Sequence, residues 1–175
     1  MRLRIERDWQ GAAVPATEHA WLAFERRGDS LAVEFDAPYF GDPRPPGATG
    51  PTPGLWDYEV IELFIADDAE HYLELEFGPH GHYLALELSG VRKVARAELP
   101  LSYTVEIDPG VTGAPIGRYR GAAEAPMSYL PRAPTRVNAY TIHGRGPTRA
   151  YRAHAPVPGT GPDFHRLSCF VPLHW

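Results

Sequence analysis

Three glutamates, Glu62, Glu74 and Glu76, are the residues whose side-chain type and spacing best suit binding or acid-base chemistry. Glu74 and Glu76 lie two residues apart in a run that alternates apolar and polar side chains, so an extended strand places both on one face. Carboxylates that share a sheet face repel each other unless cations or ligand hydroxyl groups lie between them. Trp56 and Tyr83, nearby in sequence, could supply stacking rings. This combination is typical of a surface that binds a polyol.

The same carboxylates also permit two other interpretations. A retaining glycosidase holds two carboxyl groups about 5–5.5 Å apart, and Glu74 with Glu76 suits that spacing on one strand. Ser128 and Ser168 lack the context of a nucleophile elbow, so acyl transfer is not indicated. A solvated face balanced by arginines is the simplest structural explanation. We expect a noncatalytic binding domain, with a glycoside-processing enzyme as an alternative.

Histidines and loop carboxylates are the candidates for a metal site. His80 and His82 flank a single glycine, but one falls in a predicted turn and the other faces the predicted core, so we predict no transition metal there. Calcium bound by loop oxygens stays open as an alternative to no cofactor. The carboxylates that could hold it are Asp67 with Asp68, and Asp36 with Asp42.

Composition limits the classes of protein to which the chain can belong. Its 175 residues, 43% hydrophobic and 22% charged, fit one globular domain spanning residues 1–175. The net charge of −5 without a basic stripe argues against nucleic acid, and no apolar run approaches the roughly 20 residues of a membrane span. Residues 1–7 do not resemble a signal peptide, and Cys169 is the single cysteine. We expect a soluble cytoplasmic protein with a small-molecule ligand, and homo-oligomerisation stays open.

Hydrophobic alternation with a period of two recurs along the chain and predicts the fold. About nine or ten short strands, separated by Gly/Pro turns, indicate an all-β, two-sheet antiparallel sandwich or jelly roll. Residues 38–54 hold many prolines and glycines, so we expect a long surface loop without strand pairing. A third functional hypothesis is a protein-interaction domain that uses this loop.

The central hairpin fixes which side chains share a face. The strand through Val60 to Ile65 is apolar on both sides, so it should be covered on both, with Glu62 partly buried. The Gly78–Gly81 segment predicts a tight turn. If it places Phe77 opposite His82, the glutamates lie on the same face as Tyr83.

These residues support a comparison with a known family. The pattern resembles the superfamily of family 9 carbohydrate-binding modules (DOMON-like), in which a Trp and acidic residues precede a hairpin with a Pro-x-Gly turn. More closely, the chain resembles a family of uncharacterised single-domain proteins over residues 20–172. The residues that carry both resemblances are Trp56, Glu59, Glu62, residues 72–74 and 79–81, and for the closer family residues 53–60, 78–82, 136–140 and 163–165.

The resemblance implies a β-sandwich and a sugar site, since the carbohydrate-binding relatives clamp a sugar between two tryptophans. Trp56 matches the first tryptophan, Glu62 the strand glutamate and Asn138 a polar residue near that site. No second tryptophan precedes Trp175 in the late part of the chain, so Tyr151 or Phe164 would have to replace it. The predicted ligand-binding residues are Trp56, Glu59, Glu62, Glu74, Glu76, Tyr83, Asn138 and Tyr140, and we predict no catalytic or metal-binding residue.

Overall fold

The computed structural model describes residues 1–110, 115 and 117–175, and it shows an all-β fold of two packed antiparallel sheets. The predicted fold class is therefore confirmed. Within these residues no helix is long and apolar enough to cross a membrane. The strands in chain order are β1 (Arg2–Ile5), β2 (Arg7–Asp8), β3 (Ala20–Arg27), β4 (Ser30–Tyr39), β5 (Gly50–Pro51), β6 (Val60–Ala66), β7 (His71–Phe77), β8 (His82–Ser89), β9 (Val94–Arg96), β10 (Ser102–Pro109), β11 (Gly117–Pro126), β12 (Arg136–His143), β13 (Ala150–Ala153) and β14 (Val171–Pro172).

The strands form a five-stranded and a nine-stranded sheet. The smaller sheet has the order β1-β3-β4-β11-β10, and the larger has β2-β13-β12-β6-β7-β8-β5, with β14 beside β12 and β9 beside β8. The sequence predicts fewer strands because β2, β5 and β14 are two residues long, too short for a periodic pattern. Short 3-10 segments connect some of the strands: Ala16–Glu18, Leu55–Asp57, Met127–Tyr129, Gly146–Thr148 and Leu167–Cys169.

The proline-rich segment differs from the prediction at both of its ends. Pro38 belongs to β4 and pairs with β11, but it lies beyond the last β3 pair at Asp36, so no ladder bond on that side needs its missing N–H. Gly50–Pro51 pairs in parallel with β8. There the N–H groups of Gly50 and Thr52, on either side of the proline, donate to β8 and its turn. The prediction of an unpaired loop over residues 38–54 was wrong at these positions.

The main core lies between the two sheets. The inward residues of β6, Ile61, Leu63 and Ile65, are completely buried there. Phe35 of the smaller sheet stacks on Phe77 of the larger one, with ring centroids 5.5 Å apart. Fully burying one such side chain contributes roughly 1.5–3 kcal/mol to the free energy of unfolding.

A second apolar cluster covers the outer face of the nine-stranded sheet. Val60 and Phe64 of β6 and Leu84 of β8 pack there against Phe164 and Leu167 from the C-terminal segment. All seven residues of β6 are buried. The prediction that this strand is covered on both sides is confirmed, and the sheet is the middle of three layers.

The register of the β7–β8 hairpin differs by one residue from the prediction. Phe77 pairs with Tyr83 rather than with His82, and Glu74 pairs with Leu86. The reason is a longer turn: the Gly78 N–H donates to the His82 carbonyl at 2.9 Å, and Gly81 takes a φ of +82°. Because side chains alternate along a strand, this one-residue shift moves every β8 side chain to the opposite face.

We predict that Gly121→Ala lowers the free energy of unfolding by about 1–3 kcal/mol, because overpacking forces its neighbours out of place. A Cβ at Gly121 would lie 2.3 Å from the Phe35 ring. Urea unfolding measures the change. Gly161→Ala is the matched control, since a Cβ there would have no heavy atom within 4 Å. Unchanged stability in Gly121→Ala would contradict the close packing of Phe35.

Candidate functional site

A cavity of about 430 Å³ opens on the outer face of the nine-stranded sheet. Its floor is formed by side chains of β6, β7 and β8, and its walls come from the loops that cover this face. Small-molecule sites in proteins range from about 300 to 1,000 Å³, so the volume suits a small ligand. The lining residues are Trp56, Asp57, Glu62, Phe64, Glu74, Leu86, Leu88, Arg92, Val94, Ile142, Arg149, Tyr151, Pro162, Phe164 and His165.

Three carboxyl groups lie together at the base of this cavity. Glu62 pairs directly with Glu76 across β6 and β7, and Glu74 is the next residue on the same face of β7. Glu62 is only 2% exposed, Glu74 3% and Glu76 0%. One oxygen of Glu62, one of Glu74 and both of Glu76 have no hydrogen-bond partner, and none of the three forms an ion pair among the residues that the structure describes.

Burial changes the ionisation of this acidic cluster, Glu62, Glu74 and Glu76. Loss of solvent raises the pKa of Glu74 to about 7. Burial, followed by repulsion from neighbouring carboxylates, raises the pKa values of Glu62 and Glu76 well above the usual range for glutamate. Arg149 opposes the shift at Glu62. At Glu74 the shift is opposed first by a hydrogen bond that Glu76 can donate once it is protonated, and then by the charge of Arg92. Near neutral pH the cluster therefore holds protons that exposed glutamates would release.

Trp56 lies on the rim of the cavity in the 3-10 segment Leu55–Asp57. Gly54 starts this segment with a φ of +73°, and Leu55 anchors it because its side chain is completely buried. The guanidinium of Arg149 donates to the carbonyls of Trp56 and Asp57. The indole is thus held by its backbone, while 45% of the residue stays exposed.

Phe164 forms part of the cavity wall and is supported from behind. Tyr140 stacks on it with ring centroids 3.7 Å apart and planes 5° from parallel. Asn138 donates to the Tyr140 hydroxyl at 2.7 Å and to the Ala155 carbonyl at 2.9 Å. Its amide oxygen accepts from the Ala155 N–H at 2.9 Å. These bonds use up the Asn138 amide, so it and Tyr140 position the aromatic wall.

His165 joins two loops at the other side of the cavity. Its Nδ1 lies 2.8 Å from the Tyr72 hydroxyl, which also accepts a hydrogen bond from the Arg92 N–H at 2.8 Å. Arg92 in turn forms an ion pair with Asp163 at 2.7 Å. Burial lowers the pKa of His165 to about 4, so its imidazole is neutral near pH 7.

The structure places Trp56, Glu62 and Glu74 of the predicted site on the cavity lining. Glu76 lies in the same cluster, but its completely buried side chain does not line the cavity. Asn138 and Tyr140 lie behind Phe164. The indole is exposed, whereas the three acids are buried more deeply than the open face that the sequence analysis expected.

Two predicted ligand-binding residues are directed elsewhere, which corrects the sequence analysis. Tyr83 packs between the sheets because of the one-residue shift in register, and its ring contacts Tyr103 there. The carboxylate of Glu59 accepts hydrogen bonds from the Phe40 N–H at 2.7 Å and the Asp42 N–H at 3.1 Å. It fixes the start of the proline-rich segment and does not line the cavity.

Several lining residues were not predicted, chiefly Arg92, Arg149 and His165. Arg92 lies in the loop after β8, and Arg149 lies just before β13. No local pattern marks these two arginines, and His165 enters the sequence analysis only through the family resemblance. Tyr151 and Phe164, the expected replacements for a second tryptophan, both line the cavity.

The carboxylates considered for calcium have other partners. Asp67 accepts hydrogen bonds from two backbone N–H groups, and Asp68 pairs with Arg136. Asp36 pairs with two arginines, and Asp42 accepts from the Gly144 N–H. In residues 1–110, 115 and 117–175, no group of three or more His, Cys, Asp or Glu side chains has an arrangement that could hold a metal ion.

We predict that Glu76→Gln raises the free energy of unfolding near pH 8 by about 1–3 kcal/mol, because the buried Glu76 carboxyl must at that pH either keep a proton that solvent would remove or carry a charge without an ion-pair partner. The raised pKa means that the folded chain binds the Glu76 proton more tightly than the unfolded chain does. Stability from this group is therefore full below the ordinary glutamate pKa, 4.5, and is lost as pH rises above it. The rise in the free energy of unfolding caused by Glu76→Gln should therefore vanish near pH 4.5.

Thermal unfolding at the two pH values measures this difference. Glu106→Gln on β10 is the matched control because Glu106 is exposed, and it should change stability little at either pH. An equal loss of stability in Glu76→Gln at both pH values would contradict the unpaired buried carboxyl.

Comparisons with known proteins place the chain in a family. No protein-family model matches it. The UPF0462 protein C4orf33 homolog of Danio rerio is 40% identical over 158 residues, covering 85% of this chain and 77% of the relative. The UPF0462 protein C4orf33 of Homo sapiens is 40% identical over 179 residues, covering 97% and 86%.

One solved structure shares the fold. It is a "putative carbohydrate-binding protein" from Bacteroides uniformis, with a TM-score of 0.68 and 13% sequence identity, over 97% of this chain and 84% of that one. Identity at this level shows the fold alone. The sequence relatives, in contrast, are similar over most of both chains, and this chain belongs to the UPF0462 protein family.

Proposed function

We propose that this protein binds a small carbohydrate or similar polyol in the cavity on the nine-stranded sheet, without catalysing a reaction on it. The observation that carries the proposal is the convergence of an exposed indole, Trp56, with the buried carboxyls of Glu62 and Glu74 on one cavity of about 430 Å³. Aromatic walls with a few polar groups are the usual composition of a small-molecule site.

The chemistry of these groups suits a ring that carries hydroxyls. An indole face packs against the C–H face of a sugar, as aromatic rings do with other apolar surfaces. A carboxylate accepts hydrogen bonds from hydroxyls, and a protonated carboxyl can also donate one. Because the carboxyl groups of Glu62 and Glu74 line the cavity and form no ion pair with the described residues, ligand hydroxyls would supply hydrogen-bond partners that the folded chain does not.

The Bacteroides structure supports the proposal in a general way. That protein is described as a putative carbohydrate-binding protein, and it shares this sandwich. Together with the matching positions of Trp56 and Glu62, it supports the proposed kinship with family 9 carbohydrate-binding modules. Tyr151 and Phe164 would then replace the second tryptophan of those modules.

The alternatives receive less support from the geometry. The Glu74–Glu76 pair is not available to a glycosidase substrate in the cavity, because Glu76 lies beneath the lining. The proline-rich segment is anchored at its start, where Phe40 stacks on His143 with ring centroids 3.5 Å apart. A binding site on the sheet therefore explains more of the observed arrangement than either alternative.

We predict that Trp56→Ala weakens binding of the sugars that the native protein binds by about fivefold or more, because loss of a stacking ring removes roughly 1 kcal/mol or more. Calorimetric titration with a panel of mono- and disaccharides measures the effect. Trp21→Ala is the matched control: it removes the same side chain from the outer face of the smaller sheet, away from the cavity.

Three results would contradict the proposal. These are the absence of binding by any sugar in the panel, equal effects of the two tryptophan variants, or release of product from a glycoside by the native protein. The last result would indicate an enzyme that uses the same cavity.

A further inference from the structure

The base of the cavity carries three carboxyl groups that form no ion pair with the residues that the structure describes. Glu62, Glu74 and Glu76 contribute three carboxyl groups, each more than nine-tenths buried. The unpartnered oxygens of Glu62 and Glu74 belong to side chains that line the cavity. Because both side chains line the cavity, each presents a carboxyl group to a molecule that enters it.

The two arginines on the cavity lining are bound to other groups. Arg92 donates to Asp163 at 2.7 Å. Arg149 donates to the carbonyls of Trp56, Asp57 and Gly144. Neither guanidinium donates a hydrogen bond to a glutamate of the acidic cluster. Both remain fixed at the walls by these partners, so neither forms an ion pair with a carboxyl group at the base.

A neutral hydroxyl and an ammonium group would act differently at this place. A hydroxyl offers one hydrogen to a carboxylate. An ammonium offers three, and it also carries the positive charge that pairs with a carboxylate. A charge-assisted hydrogen bond is about twice as strong as a neutral one. An ammonium would therefore restore ionisation of the cluster and satisfy more than one of its oxygens.

We infer that the ligand presents a cationic nitrogen to Glu62 and Glu74, so that its chemical class is an amino sugar with a free amine. This inference rests on the proposed function, since it specifies the ligand of the same cavity. The aromatic lining fits this class, because Trp56 and Phe164 offer ring faces to the sugar and to a nearby cation.

The arrangement favours an ammonium over a metal ion at this position. A metal ion requires several ligands at short and regular distances, and within the described part of the chain the carboxyls do not form such a group. An ammonium donates hydrogen bonds over longer distances, about 2.7–2.9 Å, and its directions can be less regular.

The test is a calorimetric comparison of glucosamine, N-acetylglucosamine and glucose near pH 7, with putrescine as an amine that is not a sugar. We expect glucosamine to bind at least about tenfold more tightly than the two neutral sugars. In Glu74→Gln and Glu62→Gln, the ratio of the affinity for glucosamine to the affinity for glucose should fall toward one. Both variants replace a buried carboxyl with a neutral amide of similar size and should stay folded, and their circular dichroism checks this.

The possible results separate the inference from the proposed function. Equal affinity for glucosamine and glucose, with loss of both in Trp56→Ala, would overturn the cationic ligand and keep the sugar site. Binding of putrescine without any sugar would overturn the sugar site. A preference for glucosamine that survives both glutamine variants would also overturn the inference, because the amine would then bind elsewhere.

Discussion

Burial of the nine-stranded sheet on both faces is the constraint on which the rest of the structure depends. Its inner face packs on the smaller sheet, and its outer face is covered by the C-terminal segment around Phe164 and Leu167. That cover removes Glu62, Glu74 and Glu76 from water, although such side chains normally stay solvated. On a sheet with an exposed outer face, the same three acids would be solvated and would ionise as ordinary glutamates do. The cavity exists where the cover is incomplete.

Rigid support surrounds this opening. Arg149 ties the Trp56 segment to the β12–β13 connection, and the Asn138–Tyr140 pair holds Phe164. The Arg92–Asp163 ion pair links the remaining two loops. The walls are thus fixed before a ligand arrives, which limits the ordering entropy that binding would require.

Much of the fold could be predicted from the sequence, because alternation with a period of two marks each longer strand. The β6 strand, apolar on both sides, correctly indicated a covered central position. The hairpin register could not be predicted, since the residues Gly78 to Gly81 suit turns of two lengths. The error is one residue, yet it places Tyr83 in the core and the β8 leucines beside the glutamates.

The candidate site was predictable only where it lies on the central strands. Trp56, Glu62 and Glu74 belong to one continuous pattern, whereas Arg149 and His165 reach the cavity from loops that lie far away in sequence. Loop positions depend on long-range contacts that a local pattern does not record. Family membership does not add the missing chemistry, so the unpaired carboxyls remain the most informative feature of the site.

The most direct test of the account is a carbon-13 NMR titration of the glutamate side-chain carboxyls. The account predicts that Glu62, Glu74 and Glu76 keep their protons at pH values where solvent-exposed carboxyls have already lost theirs. Titration of all three at the pH of a solvent-exposed carboxyl would contradict it, because the acids would then be solvated and the cavity would have no buried carboxyls at its base.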